Sequence, residues 1–493
     1  MTIKLLLGLV LLAIAGTSLY HSFKPLPVGV AYKGDVHPLL EPRLLTDRTL
    51  HFGDEAPRLD HEIFDETLAM IGEARQFILV DMFLFNSTSA EGRNDRLLAG
   101  QLTEALIRQR KAFPEADVIV ISDPINTLYG GAESEHFRKL EQAGIAVIQT
   151  QLTALRDSNP LWSGLWRVCC QWFGNSSESG WLPNPIADQK VTLRSYFSLL
   201  NFKANHRKIL ITDSQDGFRA LVSSANPHDG SSHHSNIGLS FGGPAVADLL
   251  RSERAVLALS DASTQAVDEA LGRISETAPA GDARIQILTE SAIRDASLAT
   301  ITTAEPGDRL DLAMFYLSHR DLLSALIKAS RRGVHVRVLL DANHDAFGQE
   351  KSGVPNRQAA MELTNNGVSV RWCNTRGEQC HSKLLLRQDQ DSQARMLLGS
   401  ANFYPSQPGR PQSGIRCSCA GRPEPPHDSE SGSLLRGAVE QRAGQPGGNE
   451  PSLPGLGGSF TAAVLAVPVY GGDRPVDFLK MATSLAGTSR CQP

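Results

Sequence analysis

The sequence predicts an α/β protein made of two similar halves, and three observations lead there. Apolar strands alternate with amphipathic helices through short polar links, the pattern of a largely buried sheet covered by helices. The order of these elements recurs once along the chain. Each copy also carries a His-x-Lys pair followed at similar spacing by Ser-x-Asn: His206-Arg207-Lys208 with Ser224-Ala225-Asn226, then His381-Ser382-Lys383 with Ser400-Ala401-Asn402. One copy is weak evidence, because a lone His-x-Lys is more often a strand end. Two copies suggest one site assembled from both halves, able to break a phosphodiester bond with a pair of histidines.

The elements follow in order. Met1-Thr2-Ile3-Lys4 precedes sixteen uncharged, mostly apolar residues, Leu5 to Tyr20. With Ala13-Ile14-Ala15 as an A-x-A site, residues 1–20 read as a cleaved signal peptide or a retained membrane anchor. Residues 21–38, with Lys24-Pro25-Leu26-Pro27, read as a linker. Either way the chain is delivered to or across a membrane, so it is anchored there or exported to the periplasm or cell envelope.

The first half, 39–278, starts with a buried strand at Phe77–Leu84. A helix through Leu102–Lys111 follows, then a strand ending at Asp123, a helix around Ser134–Ala143 and the strand Ile145–Gln149. The second half, 283–403, repeats this with Leu310–Tyr316, where Met314-Phe315 echoes Met82-Phe83. Its helix Asp321–Arg331 leads to a strand ending at Asp341, then to Asn356–Asn366 and Val368–Arg371. The join lies near Ala278-Pro279-Ala280-Gly281.

An insertion at 150–201 occurs in the first half alone. It holds Trp162, Trp166, Trp172 and Trp181, four of the five tryptophans. Such rings suit a lipid–water interface or a bound acyl chain, which makes Trp162 and Trp166 candidate substrate contacts. The blander reading is a loop packing its own small core. Among the seven cysteines, the spacing of Cys373 and Cys380 permits a disulfide bracing the loop before His381. Metal ligation is the weaker reading, since no C-x-x-C pair occurs.

Composition limits the function classes. The chain has 493 residues, enough for two domains with sizeable cores, and a formal net charge of −5. No basic stripe of the kind that neutralises duplex phosphates is visible, which argues against nucleic acid as partner.

The motif residues suit phosphoryl chemistry. Residues two apart on a strand share a face, so His206 and Lys208 project together, as do His381 and Lys383. An imidazole can attack phosphorus, while ammoniums and the amides of Asn226 and Asn402 hold the equatorial oxygens. Ser224 and Ser400 stand beside those amides as substrate contacts. The second imidazole protonates the leaving oxygen. No metal and no cofactor is called for, since the lysines supply the charge. His228, His233, His234, His335 and His344 lack such company and read as loop or surface residues.

The duplicated H-x-K-x-x-x-x-D with S-x-N resembles the phospholipase D superfamily, over roughly Leu39 to Phe403. His206, Lys208 and Asp213 fit the first motif fully. The resemblance implies two α/β sandwich domains related by a pseudo-twofold axis, with the site at their interface. It also implies a phosphohistidine on His206, with His381 as acid and then base, an assignment open to reversal. Members act on phospholipids or cut nucleic acids. The membrane-directed N-terminus and acidic charge favour a phospholipid substrate at a membrane surface. The rival readings are a nuclease of the same superfamily and a catalytically inactive binding protein.

Two features depart from the pattern. Gln388 stands where the second motif has its acid, with Asp389 one residue later. From Tyr404 the sequence turns Pro/Gly/Ser/Arg-rich without periodicity, a composition that buries no core. Codons for Tyr404–Cys419 exist whose frame one nucleotide downstream encodes a fitting continuation of the motif. Residues 404–493 are thus read as a disordered or frameshifted tail. In the frameshift reading the chain lacks its last strand and an acid that backs a histidine in relatives, and its own activity is in question.

Overall fold

Two eight-stranded sheets organise the chain, and their strands correspond almost one for one. The computed structural model describes residues 2–52, 55–89, 94–184, 189–275, 283–343, 345–346, 349–350, 353–391, 393–403 and 462–467. From one edge, the first sheet runs Arg58–His61, Leu40–Leu50, Asn236–Gly242, Gly217–Ser223, Lys208–Ser214, Phe77–Met82, Asp117–Ser122 and Ala146–Gln149. The second runs His37–Pro38, Arg284–Thr289, Ala462–Val467, Ala394–Gly399, Leu384–Gln388, Arg309–Met314, His335–Leu340 and Ser369–Trp372. In each, three parallel strands joined through helices meet an antiparallel hairpin. That mixture follows from the connections, because parallel neighbours need a crossover and antiparallel ones only a turn.

Strand periodicity decides which residues face which layer. On Phe77–Met82, Phe77 and Leu79 face inward with Ile209 and Ile211 of the neighbouring strand. Ile78, Val80 and Met82 face outward with Leu210. The second sheet sends Ala313, Leu384, Met396 and Leu398 into the same inner cluster. One apolar core therefore runs between the sheets and welds the halves together. The outer face of the first sheet is covered by helices Glu62–Glu73, Leu98–Ala112 and Glu135–Gln142. Ser291–Thr302, Arg320–Arg331 and Asn356–Asn365 cover the second. These are the two related α/β halves that the sequence led us to expect.

Differences from the sequence reading are local. The strand expected to carry both His206 and Lys208 begins at Lys208, so His206 lies just before it. Of the tail expected to bury no core, six residues, Ala462–Val467, pair antiparallel with both Arg284–Thr289 and Ala394–Gly399. They take the place that Asn236–Gly242 holds in the first sheet. The rest of the tail and the join at Ala278–Gly281 lie outside the described residues, as does His344.

The shared core makes a direct prediction. Phe241 is fully buried within it, so Phe241→Ala should cost about 3–5 kcal/mol in urea unfolding. A loss below about 1 kcal/mol, the range of surface changes, would contradict a continuous core between the sheets.

Candidate active site

Two aspartates set the path of the chain into each motif. Asp123 accepts the Asn205 N–H at 2.6 Å and the Ile125 N–H at 2.8 Å. Asp341 accepts the Cys380 N–H at 2.8 Å and the Asn343 N–H at 2.6 Å. Asn205 and Cys380 immediately precede His206 and His381, so one device positions both histidines. Asn126 and Asn356 repeat the symmetry. Each donates to the carbonyl of a site phenylalanine, Phe83 or Phe315, and accepts the N–H two residues on. The Cys373–Cys380 disulfide further braces the second approach.

The motif alternates across the strand as expected. Arg207 points away from the site and is fully buried against Glu253 and Ser252 of helix Ala245–Leu259. His206 and Lys208 turn to the other side. The His206 ring lies 4.5 Å from Phe83, over which Lys208 Nζ sits at 4.8 Å. In the second half the His381 ring lies 5.3 Å from Phe315, with Lys383 Nζ at 5.8 Å. The Met-Phe echo of the sequence thus marks the aromatic floor of each half-site.

Each imidazole is held by the opposite half. His206 Nδ1 is 3.0 Å from the Ser400 carbonyl oxygen. A carbonyl only accepts, so Nδ1 carries the proton and Nε2 presents its lone pair. His381 Nδ1 is 3.1 Å from Asn236 Oδ1, which also accepts from Ser224 Oγ at 3.0 Å. The amide is oriented by its Nδ2, which donates to the His234 carbonyl at 3.1 Å. Nε2 of His381 is therefore also the free nitrogen. Backbone bonds stitch the halves alongside: Ser235 N–H to the Gln379 carbonyl, and His381 N–H to the Ser235 carbonyl.

Burial and like charge then fix the protonation preferences. Burial pushes both histidines well below their ordinary range, and Lys208 and Lys383 push in the same direction. For His206 the Ser400 carbonyl opposes the shift. Both lysines are also well below theirs. Burial is the main cause, countered at Lys208 by Asp81 and Asp123 and at Lys383 by Asp341. Lys208 and Lys383 donate to the carbonyls of His206 and His381. Two buried amines beside two neutral imidazoles form a site whose charged forms need an anion.

The structure therefore gathers His206, Lys208, His381 and Lys383, with Ser224 and Ser400 buried beside the two rings. Asn226 is buried and its Oδ1 accepts the Leu84 N–H at 3.3 Å. Asn402 Oδ1 is buried without a hydrogen-bond partner among the described residues.

The candidates Asp213, Trp162 and Trp166 go elsewhere, as does Asp389 of the second motif. Asp213, grouped with the catalytic residues, lies near the far end of its strand. It accepts the backbone N–H groups of Arg75, Gln76 and Phe77 at 2.8–3.2 Å. It fixes the turn into the central strand. Asp389 is no shifted copy of it, since its carboxylate caps its own hairpin on the Gln393 N–H at 2.8 Å. Trp162 and Trp166 are not at the histidines. Trp162 Nε1 donates to the Phe197 carbonyl at 2.9 Å, and Arg194 covers Trp166 at 4.6 Å.

Other site residues escaped sequence reasoning. His234, read as a loop or surface residue, does lie in a loop, but it is buried 6.0 Å from the His381 ring and accepts the Gln379 N–H. Asn236 carried no signal, because its role depends on the other half of the chain. The repeated strand-end aspartates were visible, and only their partners were not.

Two measurements follow. In imidazole NMR of the chain without added anion, both site histidines should titrate below pH 6.5, and added phosphate should raise both values. Unchanged titration with phosphate would contradict a shared anion site. Asn236→Asp should raise the pKa of His381 by placing a carboxylate at Nδ1 and leave His206 little changed; equal shifts in both rings would contradict the assigned contact.

Comparison with known proteins gives a family match over part of the chain. Residues 297–407 match the family model described as cardiolipin synthase, PLD-like domain. No curated protein matches the chain. Phosphatidylserine synthase of Haemophilus influenzae Rd KW20 is similar at 10% identity, TM-score 0.46, over 74% of this chain and 79% of that one. Nuc of Salmonella typhimurium, a phospholipase D family member, is similar at 19% identity, TM-score 0.19, over 23% and 70%. Polyphosphate kinase of Porphyromonas gingivalis is similar at 10% identity, TM-score 0.36, over 73% of this chain. The chain spans 45% of that kinase's length. The family match falls on residues 297–407 of the second half, and the His-x-Lys and Ser-x-Asn residues inside it recur in the first half, so the chain resembles the phospholipase D superfamily.

Proposed function

We propose that this chain is a membrane-associated phosphodiesterase or phosphatidyltransferase acting on phospholipids through a phosphohistidine. The observation that carries the reading is the pair of imidazoles, each with Nδ1 tied to the opposite half and Nε2 left free. His206 Nε2 attacks phosphorus, and the bond to the leaving oxygen breaks. That oxygen takes a proton from His381, which an anionic substrate brings into its protonated form. His381 then removes a proton from water or an alcohol, whose oxygen attacks the phosphohistidine and releases His206. Lys208 and Lys383 hold the non-bridging oxygens throughout, with Asn226 and Asn402 as further donors. In this reading residues 39–278 and 283–403 are the two catalytic domains.

The choice of lipid rests on the helix Thr2–Phe23. Its segment Ile3–Phe23 is long and apolar enough to cross a membrane, and its first half, with Leu5, Leu6, Leu9 and Leu12, is exposed. The description of the matched family model points the same way. An anchored chain would work at a membrane, with its two halves outside the bilayer.

The test is a product assay. The chain is incubated with phosphatidylglycerol and phosphatidylcholine vesicles, with and without an alcohol acceptor, beside single- and double-stranded DNA. Lipid turnover is expected, falling roughly 10²–10⁴-fold in His206→Ala and His381→Ala, with acid-labile phosphate on His206. DNA cleavage without lipid turnover would move the chain to the nucleases. Absence of both activities, with no phosphoenzyme, would leave a binding protein.

A further inference from the structure

We infer that the tryptophan-bearing insertion is a membrane-seated platform, docked on the N-terminal helix, with Trp172, Phe173 and Trp181 immersed in the lipid–water interface. The inference rests on the reading of Thr2–Phe23 as a bilayer anchor and adds a second element at the same depth.

The docking is specific. Insertion helix Pro160–Cys169 crosses the N-terminal helix at Gly164, where a Cβ would lie 1.9 Å from Ser18 Oγ and 2.8 Å from the Ile14 carbonyl oxygen. Small residues allow helices to approach this closely in lipid. Ser18 Oγ donates to the Pro160 carbonyl at 2.8 Å. Three more bonds hold the end of the helix: Asp157 N–H to the His21 carbonyl, Lys24 Nζ to the Thr153 carbonyl, and Arg156 Nε to the Lys24 carbonyl. Ile14, Thr17, Ser18, His21 and Ser22 are accordingly half-buried, the spacing of one helical face. Leu5, Leu6, Leu9, Leu11 and Leu12 remain exposed.

Depth follows from helix geometry. At ~1.5 Å per residue, Ser18 lies about 7 Å and Ile14 about 13 Å along the helix from its end at Phe23. With Phe23 at the headgroup boundary, the insertion helix crosses at and slightly below the level of about 5–10 Å at which amphipathic helices seat their apolar face. Its outward face carries exposed Leu161 and Leu165, four residues apart.

The aromatic residues divide into two sets. Trp162 and Trp166 pack inward, with rings 6.5 Å apart and Phe197 at 5.2 Å from Trp162. They supply the small core. Trp172, Phe173 and Trp181 are 75%, 67% and 64% exposed, and rings of this type concentrate at membrane interfaces. Asp157 is buried between Arg167 and Lys203 and ties the base of the platform to the segment that enters the His206 motif. A platform in the headgroup layer would thus hold the site beside its substrate.

The test uses the full chain in phosphatidylethanolamine/phosphatidylglycerol vesicles containing lipids brominated near the headgroup end of the acyl chain. Flotation reports the anchor, and quenching of tryptophan emission reports the platform. The chain should float and be quenched. Trp172→Ser/Trp181→Ser, which changes exposed side chains and should keep the parent Tm, should float but lose most of the quenching. Flotation with no quenching, or with quenching unchanged in the double variant, would overturn the platform and leave the anchor standing. Failure to float would overturn both.

Discussion

Two side-chain contacts made across the halves, His206 Nδ1 to Ser400 and His381 Nδ1 to Asn236, are the constraint on which the site depends. Neither half can orient its own imidazole. Each ring gains its tautomer, and hence its free Nε2, only when the other half is in place. The apolar core between the sheets and the Ser235–Gln379–His381 backbone stitch supply the closure that makes this possible. Fold stability and ring geometry are therefore one problem, because whatever loosens the inner core also frees both imidazoles.

The pairing is related by pseudosymmetry without being identical. In the first sheet the strand beside the Ser-x-Asn hairpin begins with Asn236, which provides the contact to His381. In the second sheet the corresponding place is taken by Ala462–Val467, and His206 turns instead to a main-chain carbonyl. Neither partner carries a charge. A carboxylate in either place would stabilise the imidazolium, whereas a carbonyl or amide oxygen fixes the tautomer with less bias toward protonation. The protonation of the pair is then controlled by burial, by Lys208 and Lys383, and by whatever anion sits between them.

Much of this could be read from the residues. The apolar runs starting at Phe77 and Leu310 identified both sheet centres, since a strand buried on both faces reads as an unbroken apolar stretch. The duplicated His-x-Lys singled out the four side chains that the structure brings together, whereas the Met-Phe echo was read only as part of the repeat and its place beside the rings came from the structure. What escaped was tertiary. Asp213 looked like part of the chemistry because the motif places it near Lys208, yet it lies far enough along the strand to reach another turn. His234 sits in a loop and Asn236 at the start of the strand that follows it, and only the opposite half reveals their roles. Trp162 and Trp166 are chemically equivalent to Trp172 and Trp181. Helix packing alone separates the inward pair from the outward one.

The most direct test of the central claim is a crystal structure of the chain with orthovanadate. The account predicts a single vanadium between the halves, bonded to Nε2 of one histidine, with Nε2 of the other within hydrogen-bond reach of the opposite apical oxygen. The equatorial oxygens should lie on Lys208 and Lys383. Two separate anions, or rings opening into different clefts, would contradict it.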